Sequence, residues 1–248
     1  MTELILHHHD PSPFAEKIRL VFGLKGPESC SVRTPMVMPR PALTPLTGGY
    51  RKVPVLQFGA DVYCDKRLNV AELERRCPEP AVFRAGSLGI ALALATWSDR
   101  SFFDPGAGLS LGLNKALIPA EVIEDRRQFF NFMDFDRLGG DVPHLFTQFR
   151  ANLPIVELMP ADGRSCVLGD CASFADVDAC VPAWMARGNI GAARQRVQVT
   201  PDDYGRIAVE GELATLTLEE VAVRHSAPEA GEVVVHFPRL GDRIEPAA

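Results

Sequence analysis

Ser12 stands where a short apolar run, Thr2 to His9, ends at Asp10-Pro11 and gives way to Phe14, Ile18, Val21 and Phe22 at helical spacing. A serine directly before Pro13 is a favourable N-cap, and its hydroxyl lies among the unsatisfied N–H groups of the first turn. Those groups and the aligned peptide dipoles favour negative charge, so a thiolate brought there is stabilised. A thiol of pKa about 8.5 is only a few per cent ionised at neutral pH, and a drop of about two units, about 2.7 kcal/mol, makes it mostly thiolate. A hydroxyl that donates to sulfur helps without becoming covalent itself. A cysteine at this position would form mixed disulfides, which a serine cannot. From spacing alone Ser12 reads first as an ordinary helix cap.

Other residues invite chemistry with weaker signals. His7, His8 and His9 suggest a metal, but strand alternation sends His8 to the face opposite its neighbours. Cys30, Cys64, Cys77, Cys166, Cys171 and Cys180 have wide spacings without a C-x-x-C, which reads as reduced thiols, with neither a disulfide framework nor a zinc site. No metal is expected. Asp65 opens a helical pattern as its cap, and Arg51-Lys52 is a basic pair that either reaches a carboxylate or stays solvated.

The elements that position these residues follow from local pattern. Thr2–His9 reads as a strand and Ser12 caps a helix closed by Gly23 and Gly26. Ser29–Arg33 reads as a second strand, followed by an irregular proline-rich connection from Pro35 to Gly49. Val53–Leu56 and Ala60–Tyr63 form a hairpin around Phe58-Gly59, and a helix runs from Asp65 to Arg76. Pro78-Glu79-Pro80 marks a domain boundary. Helical periods then cover Leu88–Trp97, Pro119–Phe135 and Val142–Leu158, the last expected to kink or break at Pro154. Ser173-x-x-Asp176 is a capping box opening a helix toward Trp184, a folding signal and not a site. Trp97, Phe102, Phe103, Phe129, Phe130 and Phe132 either line an apolar pocket or, at helical spacing, belong to the core. From Val197 the pattern alternates, through Glu212–Leu218, Glu220–Arg224 and Glu232–Phe237, as in a small β module. The expected layout is 1–80, 84–192 and 195–248.

With 46% hydrophobic and 23% charged residues over 248 positions, the chain has the composition of a folded soluble protein. The net charge of −6 gives no general attraction to nucleic acid or anionic lipid, and residues 195–248, with five arginines, no lysine and ten acidic residues, carry most of it. No apolar run reaches about 18 residues, so neither a membrane span nor a secretory segment is expected, and the chain reads as cytoplasmic.

Ser12-Pro13-Phe14-Ala15-Glu16-Lys17-Ile18-Arg19 after a first strand, Val53-Pro54-Val55-Leu56 before a hairpin and Ser173-x-x-Asp176 in a helical region occur together in order. In these respects residues 3 to 186 resemble a cytosolic glutathione transferase. The resemblance implies an α/β thioredoxin-like N-terminal domain plus an all-α C-terminal domain, here shortened and followed by the small all-β module. It implies glutathione as co-substrate, a small apolar electrophile and compatibility with a homodimer. It places Ser12 at the thiolate and glutathione against Phe14, Lys52, Val53, Pro54, Asp65 and Lys66, with Val53-Pro54 as a cis-proline turn and His9 where some relatives carry tyrosine. Asp65 keeps the family's carboxylate for the γ-glutamyl end. Lys66 lacks the usual hydroxyl, so its backbone N–H holds a carboxylate and its ammonium adds attraction, while Asn69 replaces an apolar helix residue. Thr200–Gly205 and Gly231–Pro238 resemble an appendage of some bacterial relatives. The competing readings are a non-catalytic glutathione-transferase-like binding or interaction protein and a glutathione-dependent isomerase.

Overall fold

The computed structural model describes residues 3–84, 86–190, 196–201, 207–216, 220–238 and 242–246. The chain divides into two compact units, Met1–Ala183 and Trp184–Ala248. In the first, a four-stranded sheet has the order β2-β1-β3-β4, with β1 (Leu4–His8) parallel to β2 (Cys30–Arg33) and antiparallel to β3 (Val55–Phe58), which pairs antiparallel with β4 (Asp61–Cys64). Helix α1 (Pro13–Lys25) joins β1 to β2, and α3 (Lys66–Arg76) follows β4. This is the thioredoxin-like arrangement expected from the strand–turn–helix order. Within the proline-rich connection the short helix α2 (Thr44–Thr47) forms, its Thr44 hydroxyl donating to the Arg40 carbonyl at 2.8 Å.

Ser12 caps α1 by accepting from the Ala15 N–H at 3.2 Å, and Gly26 ends the helix at φ 65° with its N–H on the Phe22 carbonyl at 2.7 Å. Gly26 rather than Gly23 is the stop, because only Gly26 adopts the left-handed conformation that terminates a helix cheaply.

The helical part contains α4 (Leu88–Trp97), a five-residue π-helical turn (Ser98–Phe102), α5 (Phe103–Asn114), α6 (Ala120–Phe129), α7 (Leu138–Leu158) and α8 (Phe174–Ile190). Helix α5 escapes the sequence patterns: Pro105, Gly106, Gly108 and Gly112 lower its local propensity, and packing against α7 sustains it. The helix expected over Pro119–Phe135 stops at Phe129, where Phe130 turns extended. Helix α7 runs through Pro143 and Pro154. Pro154 lies on the exposed side, where water can satisfy the carbonyl that loses its donor.

The core does not stop at the Pro78–Pro80 segment. Leu6, Ile18, Val21, Leu56, Val70 and Leu73 from the sheet layer form one cluster with Val82, Phe174, Val177 and Val181. Polar bonds close the same junction: the Lys25 ammonium donates to the carbonyls of Cys77 at 2.6 Å and Pro80 at 3.0 Å and pairs with Glu74, whose carboxylate accepts from the Val82 N–H at 3.1 Å. The capping box expected at Ser173 is present in a variant form, with the Ser173 N–H and hydroxyl both donating to Asp176 at 2.8 and 2.7 Å.

The second unit contains an antiparallel sheet of order β8-β7-β6-β5-β9, built from β5 (Arg196–Pro201), β6 (Val209–Leu216), β7 (Glu220–Ala227), β8 (Gly231–Pro238) and β9 (Asp242–Pro246). Val199, Leu213, Val221 and Val223 form its core. Thr217–Glu219 and Asp202–Arg206 lie outside the described residues, as does Thr2 of the first strand expected.

Two glycine substitutions should move stability in opposite directions. A Cβ at Gly112 meets Val142 Cγ2 at 2.8 Å and the Leu138 carbonyl oxygen at 3.3 Å, whereas at Gly23, inside α1, nothing lies within 4 Å. Gly112→Ala should lower unfolding free energy by about 1 kcal/mol or more through overpacking. Gly23→Ala should raise it by about 0.5–1 kcal/mol through helix propensity. Urea titrations of both variants check this, and shifts of equal sign would contradict the packing described.

Candidate functional site

Register places the expected site residues along one edge of the first sheet. His7 pairs with Val55 across β1 and β3, and Val55 pairs with Cys64 across β3 and β4. The turn to Ser12, the Val53-Pro54 step and Asp65 therefore all follow or precede their strands at the same end. Ser12 is buried and its own N–H donates to the His9 carbonyl at 3.1 Å. Its oxygen accepts from Ala15, and among the described residues its hydroxyl hydrogen has no acceptor. Val53-Pro54 is cis, as the resemblance implies. Phe14, in the first turn of α1, packs its ring against Phe103 with centroids 4.8 Å apart.

Asp65 has φ 74° and ψ 139°, a region that non-glycine residues enter at a cost of order 1–3 kcal/mol. Its carboxylate is exposed and accepts from the Arg67 N–H at 2.9 Å, capping α3. The Asn69 amide below it explains the missing apolar residue: oriented with its nitrogen toward the chain, it donates to the carbonyls of Tyr63 at 2.7 Å and Asp65 at 3.0 Å. A polar side chain, fully buried, thus holds the strained turn in place.

Lys66 departs from expectation. Its side chain is 3% exposed and its ammonium points inward, to Asp178 and Asp99, each at 2.8 Å, so it adds no attraction at the surface of the helix terminus. The same two carboxylates bind Lys17, at 2.6 Å from Asp178 and 2.9 Å from Asp99. Lys17 also approaches Ser98, whose hydroxyl donates to the Asp178 carbonyl. The π-helical turn delivers Ser98 and Asp99 to this point. Burial opposes charge on Lys17, but Asp178 and Asp99 outweigh it and hold the ammonium above the usual lysine range. For Lys66 burial and the Lys17 charge prevail and push it down, making it the weaker base of the two. Only its backbone N–H remains for a ligand. Sequence reading passed over Lys17, although a lysine on the buried stripe of α1 with Val21 requires a buried carboxylate somewhere.

The three histidines occupy separate settings. His7 Nε2 lies 2.8 Å from Gln57 Oε1. Arg19 donates to His8 Nδ1 at 3.0 Å, so His8 carries its hydrogen on Nε2 and donates to Ser31 at 2.6 Å. Among the described residues no group of three or more His, Cys, Asp or Glu is arranged for a metal. His9 is pushed down to about 4, first by burial, then by the Arg40 and Arg126 guanidiniums. Lys52 is exposed. Arg51 is not solvated with it, since it pairs with Asp125 of α6 at 2.7 Å and lies over the Phe129 ring.

Residues 6–81 match the family model for the glutathione S-transferase N-terminal domain. This part of the chain is similar to that domain. A GST-like protein from Pseudomonas syringae has a similar structure over 100% of both chains, with 29% identity and a TM-score of 0.58, so the similarity extends through the β module. A glutathione S-transferase from Ceriporiopsis subvermispora, solved in complex with glutathione, is 16% identical over 76% of this chain and 86% of its own, with a TM-score of 0.60. A maleylacetoacetate isomerase from Anaeromyxobacter dehalogenans is 18% identical over 75% of this chain and 78% of its own, at 0.50. None of the curated proteins matches the sequence. Among the described residues no helix is long and apolar enough to cross a membrane.

Within this part of the chain the edge of the sheet presents two helix N-termini, those of α1 and α3, on either side of the cis-proline step. Each is a ready site for negative charge. Arg40 and Arg126, which flank His9, carried no readable sequence signal, because isolated arginines are usually solvated.

Two consequences can be measured. Asp178→Asn keeps the shape of a fully buried side chain but leaves two ammoniums facing Asp99 alone. It should cost about 3–5 kcal/mol in urea unfolding, and Lys66→Met in the same chain should recover part of that loss. Additive losses would show that the two residues are not coupled. The folded state resists protonating His9, so its contribution to stability is full above the unfolded pKa near 6.5 and is lost as pH falls toward about 4. His9→Asn should flatten stability against pH in that window, as read by denaturant midpoints.

Proposed function

We propose that the protein binds glutathione at this edge and transfers it to a small electrophile. The observation that carries the reading is the Ser12 hydroxyl: buried at the N-terminus of a 13-residue helix, its oxygen engaged by Ala15 and its hydrogen free to donate. The backbone of the peptide-like substrate pairs beside Val53-Pro54, and its γ-glutamyl end meets Asp65 and the N–H groups at the start of α3, Lys66 included. Lys52 lies near the glycyl end. The thiol, placed at Ser12, gives up its proton to solvent more readily because the hydroxyl and the helix terminus favour the anion. The thiolate then attacks the electrophile, forming a C–S bond as the leaving group departs. Phe14 with Phe103 supplies an apolar wall for an acceptor.

A glutathione-dependent isomerase would use the same thiolate and release it again, whereas a binding or interaction protein would not lower the thiol pKa. Ultraviolet titration of bound thiolate separates these. In Ser12→Ala the helix terminus remains, so the glutathione Kd should stay within about fivefold, about 1 kcal/mol. Loss of one hydrogen bond to a charged sulfur, about 1.5–3 kcal/mol, should raise the thiol pKa by about one to two units and slow conjugation at neutral pH at least tenfold. Coincident titration curves for parent and variant would make Ser12 a helix cap only.

A further inference from the structure

Arg40, Arg51 and Arg126 converge on one small volume beside His9. The Met36 carbonyl accepts from both Arg40, at 3.0 Å, and Arg126, at 3.2 Å, while the Arg51 carbonyl accepts from Arg40. The side chains of Arg51 and Arg126 share the Asp125 carboxylate. Three guanidiniums thus face one carboxylate, and Arg40 and Arg126 are 4% and 8% exposed. Buried like charges of this kind are costly without a compensating anion. Arg40 spends Nε and both terminal nitrogens on carbonyls of Pro35, Arg51 and Met36. Arg126 is different: Nη1 alone is engaged, and among the described residues Nε and Nη2 have no acceptor.

A row of rings leads to this cluster from the proposed thiolate position. Phe14, two residues after Ser12, stacks near Phe103, which lies 5.9 Å from Phe132; Phe132 lies 5.0 Å from Phe130, and the Arg126 guanidinium sits 5.8 Å from the Phe130 centroid. Phe14, Phe130 and Phe132 are only half-buried, so this row is not closed off as core. An aromatic surface ending in an arginine with free donors fits a flat ligand with a carboxylate at its far end.

We propose that the acceptor substrate is an aromatic or conjugated carboxylate, its ring against Phe14, Phe130 and Phe132 and its anionic group on Arg126 with Arg51 beside it. This rests on the glutathione-transfer reading and replaces a purely apolar electrophile by an anionic one. The glycyl carboxylate of glutathione offers the same chemistry, so the test must separate the two sources.

The full-length protein is assayed at saturating glutathione with 1-chloro-2,4-dinitrobenzene and with 4-chloro-3,5-dinitrobenzoate. In both, sulfur bonds to the chlorine-bearing ring carbon, chloride leaves with the electron pair, and the thiol proton goes to solvent. Relative to the uncatalysed rates, kcat/KM should favour the benzoate at least tenfold. Arg126→Gln should reduce that preference at least tenfold, and Arg51→Gln reads the same ratio if Arg126→Gln does not fold. Equal efficiencies in the parent protein overturn the proposal. So does a variant that raises KM for glutathione equally with both electrophiles, which would assign the arginines to the glycyl carboxylate. Calorimetry isolates the underlying reading: no heat with glutathione overturns glutathione transfer and this proposal with it. If glutathione binds but neither chloride is displaced, the two preformed glutathione conjugates are compared by calorimetry, where at least tenfold tighter binding of the carboxylated one supports the proposal and equal affinity overturns it.

Discussion

Two lysines and two aspartates, all buried but the partly exposed Asp99, join the sheet layer to the helices around it. Lys17 comes from α1, Lys66 from α3, Asp99 from the π-helical turn and Asp178 from α8, and Asp178, with 0% exposure, receives both ammoniums on one oxygen. Burying any one of these charges alone would cost several kcal/mol, so the four must assemble together. The cluster therefore sets where α1 and α3 lie against the helical part. Since those two helices carry Ser12 and Asp65 at their N-termini, it also sets the spacing between the two anion-favouring positions at the sheet edge. The second carboxylate oxygen of Asp178 is buried without a hydrogen-bond partner, which marks this cluster as one whose geometry is imposed by packing from several sides.

The rest of the junction follows the same physical rule. Lys25 is satisfied by two carbonyls and Glu74, and Glu74 in turn receives the Val82 N–H, so the chain leaving α3 is fastened as it enters the helical part. Around these bonds Val82, Phe174, Val177 and Val181 close the apolar core of the sheet. Helix positions here come from tertiary burial, with Lys25 and Glu74 admitted because each is paired.

A few residues away the electrostatics reverse. The four-charge cluster is balanced, whereas Arg40, Arg51 and Arg126 share only Asp125, and His9 beside them is kept neutral. A neutral imidazole lets three guanidiniums coexist there with less repulsion than an imidazolium would impose. The sheet edge is thus positive at its helix termini and at the arginines, although the whole chain carries a net charge of −6. Local field and net charge are separate quantities, and the site depends on the first.

The sequence by itself determined what is local. Ser12 before Pro13, Gly26 after Lys25, Asp65 before α3 and Ser173 before Asp176 each act through bonds within a few residues, and alternation in β1 and β3 needs only a period of two. With the order of elements, these sufficed for the thioredoxin-like domain, the helical part and the β module. The tertiary structure decided everything that depends on a distant partner. Lys66 reads as a surface cation until Asp178, 112 positions later, draws it inward, and Asn69 reads as a flaw until the carbonyls of Tyr63 and Asp65 close over it. Helix α5, poor in local propensity, exists because its glycines let α7 approach. The arginine cluster has no local signature at all. Charge and cavity-lining roles arise from what the fold brings within a few ångströms, and sequence spacing carries no record of it.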